Sequence, residues 1–134
     1  MAFGGNLEVS TLLDAYRHGI FPWPQEEVPM LWFSPDPRGV LDFKDLHIPR
    51  SLKKTKRQFS NWSFTFNEAT KEVIRQCRLQ PRRGQKGTWI LPEMEVAYQK
   101  MTEEGHILSV EAWNEDHLIG GIYGVFIEGF KGKF

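Results

Sequence analysis

Few of the side chains that commonly carry reactions stand here at spacings a reaction would need. The four histidines, His18, His47, His106 and His117, have no His, Cys or carboxylate neighbour at metal-ligand spacing. The one cysteine, Cys77, falls on the apolar stripe of a helical pattern and reads as a buried thiol rather than a nucleophile. There is no G-x-S-x-G motif and no Ser–His–acid set, so covalent catalysis has no candidate. Glu111 lies in a strand-like run between Val110 and Ala112 and is a carboxylate that could face a pocket.

What the sequence concentrates instead is aromatic and basic. The segment "GIFPWPQEEVPMLWFSPDPRGV", residues 19–40, carries Phe21, Trp23, Trp32 and Phe33 among Pro22, Pro24, Pro29, Pro35 and Pro37. Proline blocks helix interiors and central strands, so the segment is expected to be irregular. Its rings either plug a core from a loop or form a platform for something planar. Arg50, Lys53, Lys54, Lys56 and Arg57 form one basic run; Arg75, Arg78, Arg82, Arg83 and Lys86 form a second. Residues 1–49 hold three Lys/Arg against seven Asp/Glu, residues 50–100 twelve against four, and residues 101–134 two against six. The net charge of zero therefore hides a basic middle of +8 between two acidic flanks of −4 each. One charge run alone is usually a solvated face. Two runs in a neutral chain, together with a cluster of rings, suit phosphate backbone and unstacked bases. "RRGQKGT" lacks the spacing of a phosphate-cradling loop.

The bulk composition sets bounds on these readings. The 134 residues suffice for one domain, or a small domain with part of another. An apolar content of 40% with 25% charged residues is that of a globular protein, not a disordered one. One cysteine permits no internal disulfide and suits a reducing cytoplasm. No run of apolar residues is long enough to span a bilayer, and the N-terminus lacks a signal-peptide pattern.

Several elements must position these groups. "EVSTLLDAYRHGI" predicts a short helix with Ser10 as N-cap, Leu12, Leu13 and Tyr16 on one face, and Gly19 past its end. "GVLDF", residues 39–43, could be a short strand. A short basic helix is expected after Pro49. "NWSFTFN" alternates with period two and predicts a half-buried strand; Asn67 would cap the next helix, with Ala69, Val73 and Cys77 on its apolar side. Pro92 opens a further helix striped by Met94, Ala97, Tyr98 and Met101, and Gly105 ends it. "HILSVEAW" and "HLIGGIYGVFIEG" form a hairpin about residues 114–116, its three glycines suggesting a bulge or a close backbone approach. Helices and strands do not alternate regularly, so the fold class is α+β, with a sheet left open at an edge.

The same stretches carry a family resemblance. "AYRHGIFPW", "LWFSPDPRGVL" and "LHIPRSLKK" follow one another as in the bacterial leucyl/phenylalanyl-tRNA–protein transferases, and the likeness continues through "FTFN", "GTWI", "EVAYQKMTEEGHILSVEAW" and "LIGGIYGVFIEG". It covers the chain from Gly4 to about Gly129. The resemblance implies a small N-terminal α/β domain, residues 1–48, followed by part of an acetyltransferase-like α/β domain, residues 49–134. It implies transfer of Leu, Phe or in some cases Met from charged tRNA to the N-terminal Arg or Lys of a protein, as a degradation signal in the cytoplasm. No metal or organic cofactor is implied. Tyr16, Trp23, Trp89 and Tyr98 match positions that contact the terminal aminoacyl-adenosine, and Ile122 matches a position lining the Leu or Phe pocket. Arg50, Lys53, Lys54, Arg57, Arg82 and Arg83 would meet the tRNA backbone.

The sequence departs from that family at its end. Typical members continue past the "GGIYGV" match to a Gly-Glu-Ser-Met-Phe motif and an Asp-x-Gln motif, which carry the catalytic carboxylates and amide. Here "EGFKGKF" stands instead, and neither motif occurs. The expected form is therefore C-terminally truncated, with its catalytic residues outside the sequence. The alternative to a transferase is a non-catalytic remnant that binds aminoacyl-tRNA.

Overall fold

The computed structural model describes residues 2–25, 28–81, 83–84 and 88–128. The chain runs β1 (Ala2–Phe3), α1 (Val9–Arg17), β2 (Phe21–Pro22), β3 (Leu31–Phe33), a 3-10 turn (Phe43–Asp45), α2 (Arg50–Gln58), β4 (Trp62–Phe66), α3 (Thr70–Leu79), α4 (Pro92–Glu103), β5 (Ile107–Asn114) and β6 (His117–Val125). Two antiparallel three-stranded sheets result, ordered β1-β3-β2 and β4-β5-β6. This is an α+β fold, as the pattern of elements predicts.

The proline-rich segment is less irregular than expected. Pro22 sits in β2, which is an edge strand of the first sheet, where a missing N–H costs no ladder bond. Trp32 in the central strand β3 is buried, and its Nε1 donates to the Gly4 carbonyl at 2.7 Å. One tryptophan of the segment thus plugs the core, while Trp23 is 39% exposed.

A single core joins both sheets. Leu12 and Leu13 of α1, Trp32, Ile74 of α3, Ile90 just before α4, Met94, Ala97, Tyr98 and Met101 along α4, and Ile107 of β5 form one buried cluster. All four residues of the predicted α4 stripe are buried, and Pro92 opens the helix as expected. Helices α3 and α4 cover one face of the second sheet. Gly121 permits that packing: a Cβ there would lie 2.6 Å from Val73 Cγ2. The hairpin register shifts at Ala112/Trp113, opposite Gly120 and Leu118, so Ile119 is the extra bulged residue.

Three local expectations need correction. Helix α1 begins at Val9 with Glu8 at the cap position, so Ser10 is inside the helix; Asn6 Oδ1 instead accepts from the Glu8 N–H and the Thr11 hydroxyl. Asn67 does not cap α3. It takes a left-handed φ of 59° and exchanges bonds with Ser109, its Oδ1 accepting from Ser109 N at 2.7 Å and its N–H donating to Ser109 O at 3.2 Å. Residues 39–43 form no strand: 39–42 pair with none of the described strands, and Phe43 opens the 3-10 turn.

Glu111 points into the protein rather than into a pocket. It is completely buried on the helix side of the sheet. Its carboxylate accepts from Thr65 Oγ1 at 2.6 Å and from Ser109 Oγ, while Ser109 Oγ also meets Thr70 Oγ1 at 2.7 Å and Trp113 Nε1 donates to Thr65 Oγ1 at 2.9 Å. Burial alone would raise its pKa. The Ser109 and Thr65 hydroxyls, with the N–H groups of Ala69 and Glu68 before α3, outweigh burial and hold it below the usual carboxylate range.

Candidate functional site

Four of the predicted contact residues, from separate parts of the chain, meet in one aromatic cluster. Tyr16 comes from the last turn of α1, Trp23 follows β2, Trp89 precedes α4, and Tyr98 lies on the buried stripe of α4. The Trp23 and Trp89 indoles are stacked, with centroids 5.6 Å apart and planes inclined by 8°. Trp89 meets Tyr98 edge to face at 6.4 Å. The Tyr16 and Tyr98 hydroxyls are hydrogen-bonded to each other.

Local structure explains the convergence. Helical spacing puts Tyr16 on the same side of α1 as Leu12 and Leu13, which face α4. Trp23 N–H donates to Leu31 O at 2.8 Å, which fixes its backbone beside β3. Two further rings brace the cluster: Phe21, already marked in the proline-rich segment, and Tyr123, which was not. Phe21 meets Trp23 edge-on at 6.3 Å, and Tyr123 of β6 meets Tyr98 edge-on at 5.9 Å. Arg38 ties the proline-rich segment back to α1: its Nη1 donates to Gly19 O at 2.8 Å and its guanidinium lies over Phe21 at 5.5 Å. An arginine beside "SPDP" was the available signal for Arg38; nothing local marked Tyr123.

The electrostatics of the cluster are those of neutral phenols. Burial pushes the Tyr98 hydroxyl well above the usual phenol range, and neighbouring Tyr16 and Tyr123 push the same way. Burial also raises Tyr16, partly offset by the hydrogen bond from Tyr98. Both are protonated at neutral pH, and two hydroxyls sharing one hydrogen bond leave one O–H free to donate. Among the described residues no carboxylate or imidazole bonds to these four rings. The arrangement can stack a planar ligand and donate to its polar edge. Among the described residues it holds no general base.

The basic residues divide. Arg50, Lys53, Lys54 and Arg57 recur at helical spacing on one side of α2, and among the described residues no carboxylate pairs with any of them. The second run is partly neutralised: Arg75 approaches Glu72 at 3.4 Å, and half-buried Arg78 pairs with Glu95, joining α3 to α4. Arg83 lies exposed in the turn before Gly84, and Arg82 lies outside the described residues, as does Lys86. Ile122 is not part of the aromatic cluster. It is 68% exposed, and strand alternation turns it to the face of β6 opposite Tyr123. No group of three His, Cys, Asp or Glu is placed to hold a metal, and no helix is long and apolar enough to cross a membrane, among the described residues.

Comparison with known proteins now decides the family. The model of the leucyl/phenylalanyl-tRNA protein transferase family matches residues 40–133, and that of its N-terminal domain matches residues 5–36. The chain belongs to this family. It is similar to the leucyl/phenylalanyl-tRNA–protein transferase of Nitratidesulfovibrio vulgaris strain DP4, 46% identical over 129 residues, which are 96% of this chain and 55% of the relative. Its likeness to the transferase of Anaeromyxobacter sp. strain K is 50% over 125 residues, 93% of this chain and 53% of the relative. The transferase of Pseudomonas syringae pv. syringae strain B728a is 47% identical over 125 residues, 93% and 54% of the two chains. The chain spans about half the length of the curated transferases it matches.

Proposed function

We propose that this chain holds the aminoacyl-adenosine end of Leu- or Phe-charged tRNA, as part of a transferase that passes the amino acid to the N-terminal Arg or Lys of a protein and so marks it for degradation in the cytoplasm. The observation that carries the reading is the convergence of Tyr16, Trp23, Trp89 and Tyr98. An unpaired 3′ end offers a base to stack and ribose oxygens to hydrogen-bond, and this cluster supplies rings and phenols. The α2 cations Arg50, Lys53, Lys54 and Arg57, with Arg83, are assigned to acceptor-stem phosphates. The Leu or Phe side chain is assigned to the apolar face bearing Ile122, reached across the edge strand β6. Residues 49–134 are read as part of an acetyltransferase-like domain behind an N-terminal domain of residues 1–48.

The chemistry suits a site without a nucleophile. The aminoacyl ester is already activated. The acceptor amine forms a C–N bond to its carbonyl carbon, the ester C–O bond breaks, and the amine proton ends on the departing ribose oxygen. Such a step needs positioning, stabilisation of the oxyanion and a group to relay the proton. The aromatic cluster contributes positioning.

A second reading rests on the same cluster, which offers rings and phenols but, among the described residues, no bonded carboxylate or imidazole: a module that binds aminoacyl-tRNA without transferring from it. One experiment separates the two. Labelled Leu or Phe on its tRNA is incubated with the purified chain and a peptide beginning with Arg. Transfer supports the enzyme. Retention of charged tRNA on the protein with no labelled peptide supports the binding module, and neither retention nor transfer overturns both.

A further inference from the structure

The Trp23–Trp89 stack leaves no room for a base between its rings. A base sandwiched between two indoles needs two van der Waals gaps, or planes about 7 Å apart. The centroids are 5.6 Å apart and the planes nearly parallel, so the plane separation cannot exceed that distance. Each ring lies against one face of the other, so neither inner face can take a base while the pair is closed. We infer that this stack is a closed, self-occluded state of the site, and that a terminal adenosine enters by replacing Trp23 against Trp89. This rests on the reading of the cluster as an adenosine site.

The two rings are not equally held. Trp89 is partly buried against the core and braced edge-on by Tyr98, whose hydroxyl is bound in turn to Tyr16. Trp23 is 39% exposed, stands outside that core, and is flanked by Pro22 and Pro24. Its backbone is fixed by the bond to Leu31 O, but its indole is held by Trp89 and by the edge of Phe21. Trp23 is therefore the ring that swings, through side-chain rotation alone. Losing an aromatic pair costs a factor of about two to ten in an equilibrium constant. An incoming base regains a stack on Trp89, and on Trp23 if that ring closes over it. The closed pair thus lowers the affinity for a bare adenosine by a similar factor and keeps the apolar slot covered while it is empty.

Stacked indoles give an exciton couplet in far-ultraviolet circular dichroism. Trp23 and Trp89 are the one stacked indole pair among the described residues, since Trp62 stacks on Phe59 and Trp32 and Trp113 stack on neither. The free chain is expected to show the couplet, and Trp23→Phe and Trp89→Phe are each expected to abolish it while retaining a cooperative melt. The probe is adenosine 5′-monophosphate with leucine on its 3′ position through a stable amide, with binding measured separately by equilibrium dialysis. Binding with loss of the couplet supports the inference. Binding with the couplet intact overturns it and leaves the adenosine site standing, because the base then docks outside the pair. A free chain without the couplet also overturns it. Absence of binding overturns the site reading and the inference with it.

Discussion

Tyr98 is where the core and the aromatic cluster meet. It is 2% exposed, yet its hydroxyl is bound to Tyr16 from 82 residues away in the sequence. Replacing Tyr98 by Phe removes one member of that pair and leaves the other hydroxyl half-buried without it. The expected loss is about 1 kcal/mol in urea unfolding, with a similar loss for Tyr16→Phe. The double variant should cost less than the sum, because the two changes remove the same bond. Additive losses would show that the hydrogen bond does not hold these elements together. The two phenols also set an alkaline limit. Their folded pKa values are raised, so the stability they contribute is complete below the unfolded value of about 10 and is lost as pH rises above it. Glu111 sets the acid limit with the opposite sign. Its folded pKa is lowered, so its contribution is complete above the unfolded value of about 4.3 and is lost as pH falls below it. Thermal melts across pH should show both limbs, and Glu111→Gln should flatten the acid limb while lowering stability at pH 7 by about 1.5–3 kcal/mol.

At the scale of elements, α2 and β6 make contrasting demands. Only Thr55 of α2 is even partly covered, and the helix contributes no residue to the core. Lys53→Ala with Lys54→Ala is therefore expected to change stability by no more than about 0.5 kcal/mol. The same pair should weaken tRNA retention and lower its logarithmic salt slope by about 1 per lysine. An unchanged slope would remove α2 from the nucleic-acid surface. Strand β6 is constrained by its neighbour instead. Gly121→Ala would drive a methyl group into Val73, at an expected cost of about 1–3 kcal/mol by denaturant melting. Val73→Ala in the same chain should recover part of that loss, whereas it would add to the damage if the two sites were independent.

At the scale of the whole molecule, the second sheet is covered on one face only among the described residues. Its other face carries Phe64, Phe66, Leu108 and Ile122, all exposed, beside Val110 and Ala112. A contiguous apolar surface of this kind binds apolar dyes and promotes association. The chain is expected to bind 8-anilinonaphthalene-1-sulfonate in its folded state, and Phe66→Ser with Ile122→Ser should largely abolish that signal at a cost of about 1 kcal/mol or less. Undiminished dye binding would place the apolar surface elsewhere.

The sequence by itself determined what depends on near neighbours. The stripe of Met94, Ala97, Tyr98 and Met101, the opening proline of α4, the period-two run of β4 and the hairpin are written in adjacent residues, and so is the spacing of motifs that marks the family. The Tyr16–Trp23–Trp89–Tyr98 site could be named from that resemblance, but its assembly could not be read from composition or periodicity. Tertiary structure decided that Trp32 enters the core while Trp23 stays at the surface. It decided that Arg78 is tied to Glu95 while, among the described residues, the α2 cations meet no carboxylate, and that Ile122 turns away from Tyr98. Ser10 and Asn67 are of types that favour helix caps, but where the chain enters each helix puts Ser10 inside α1 and turns Asn67 to Ser109. The physical reason is range. Propensity and amphipathic period act over a turn or a few strand residues. Stacking, ion pairing and burial act between groups that only the packed chain brings together.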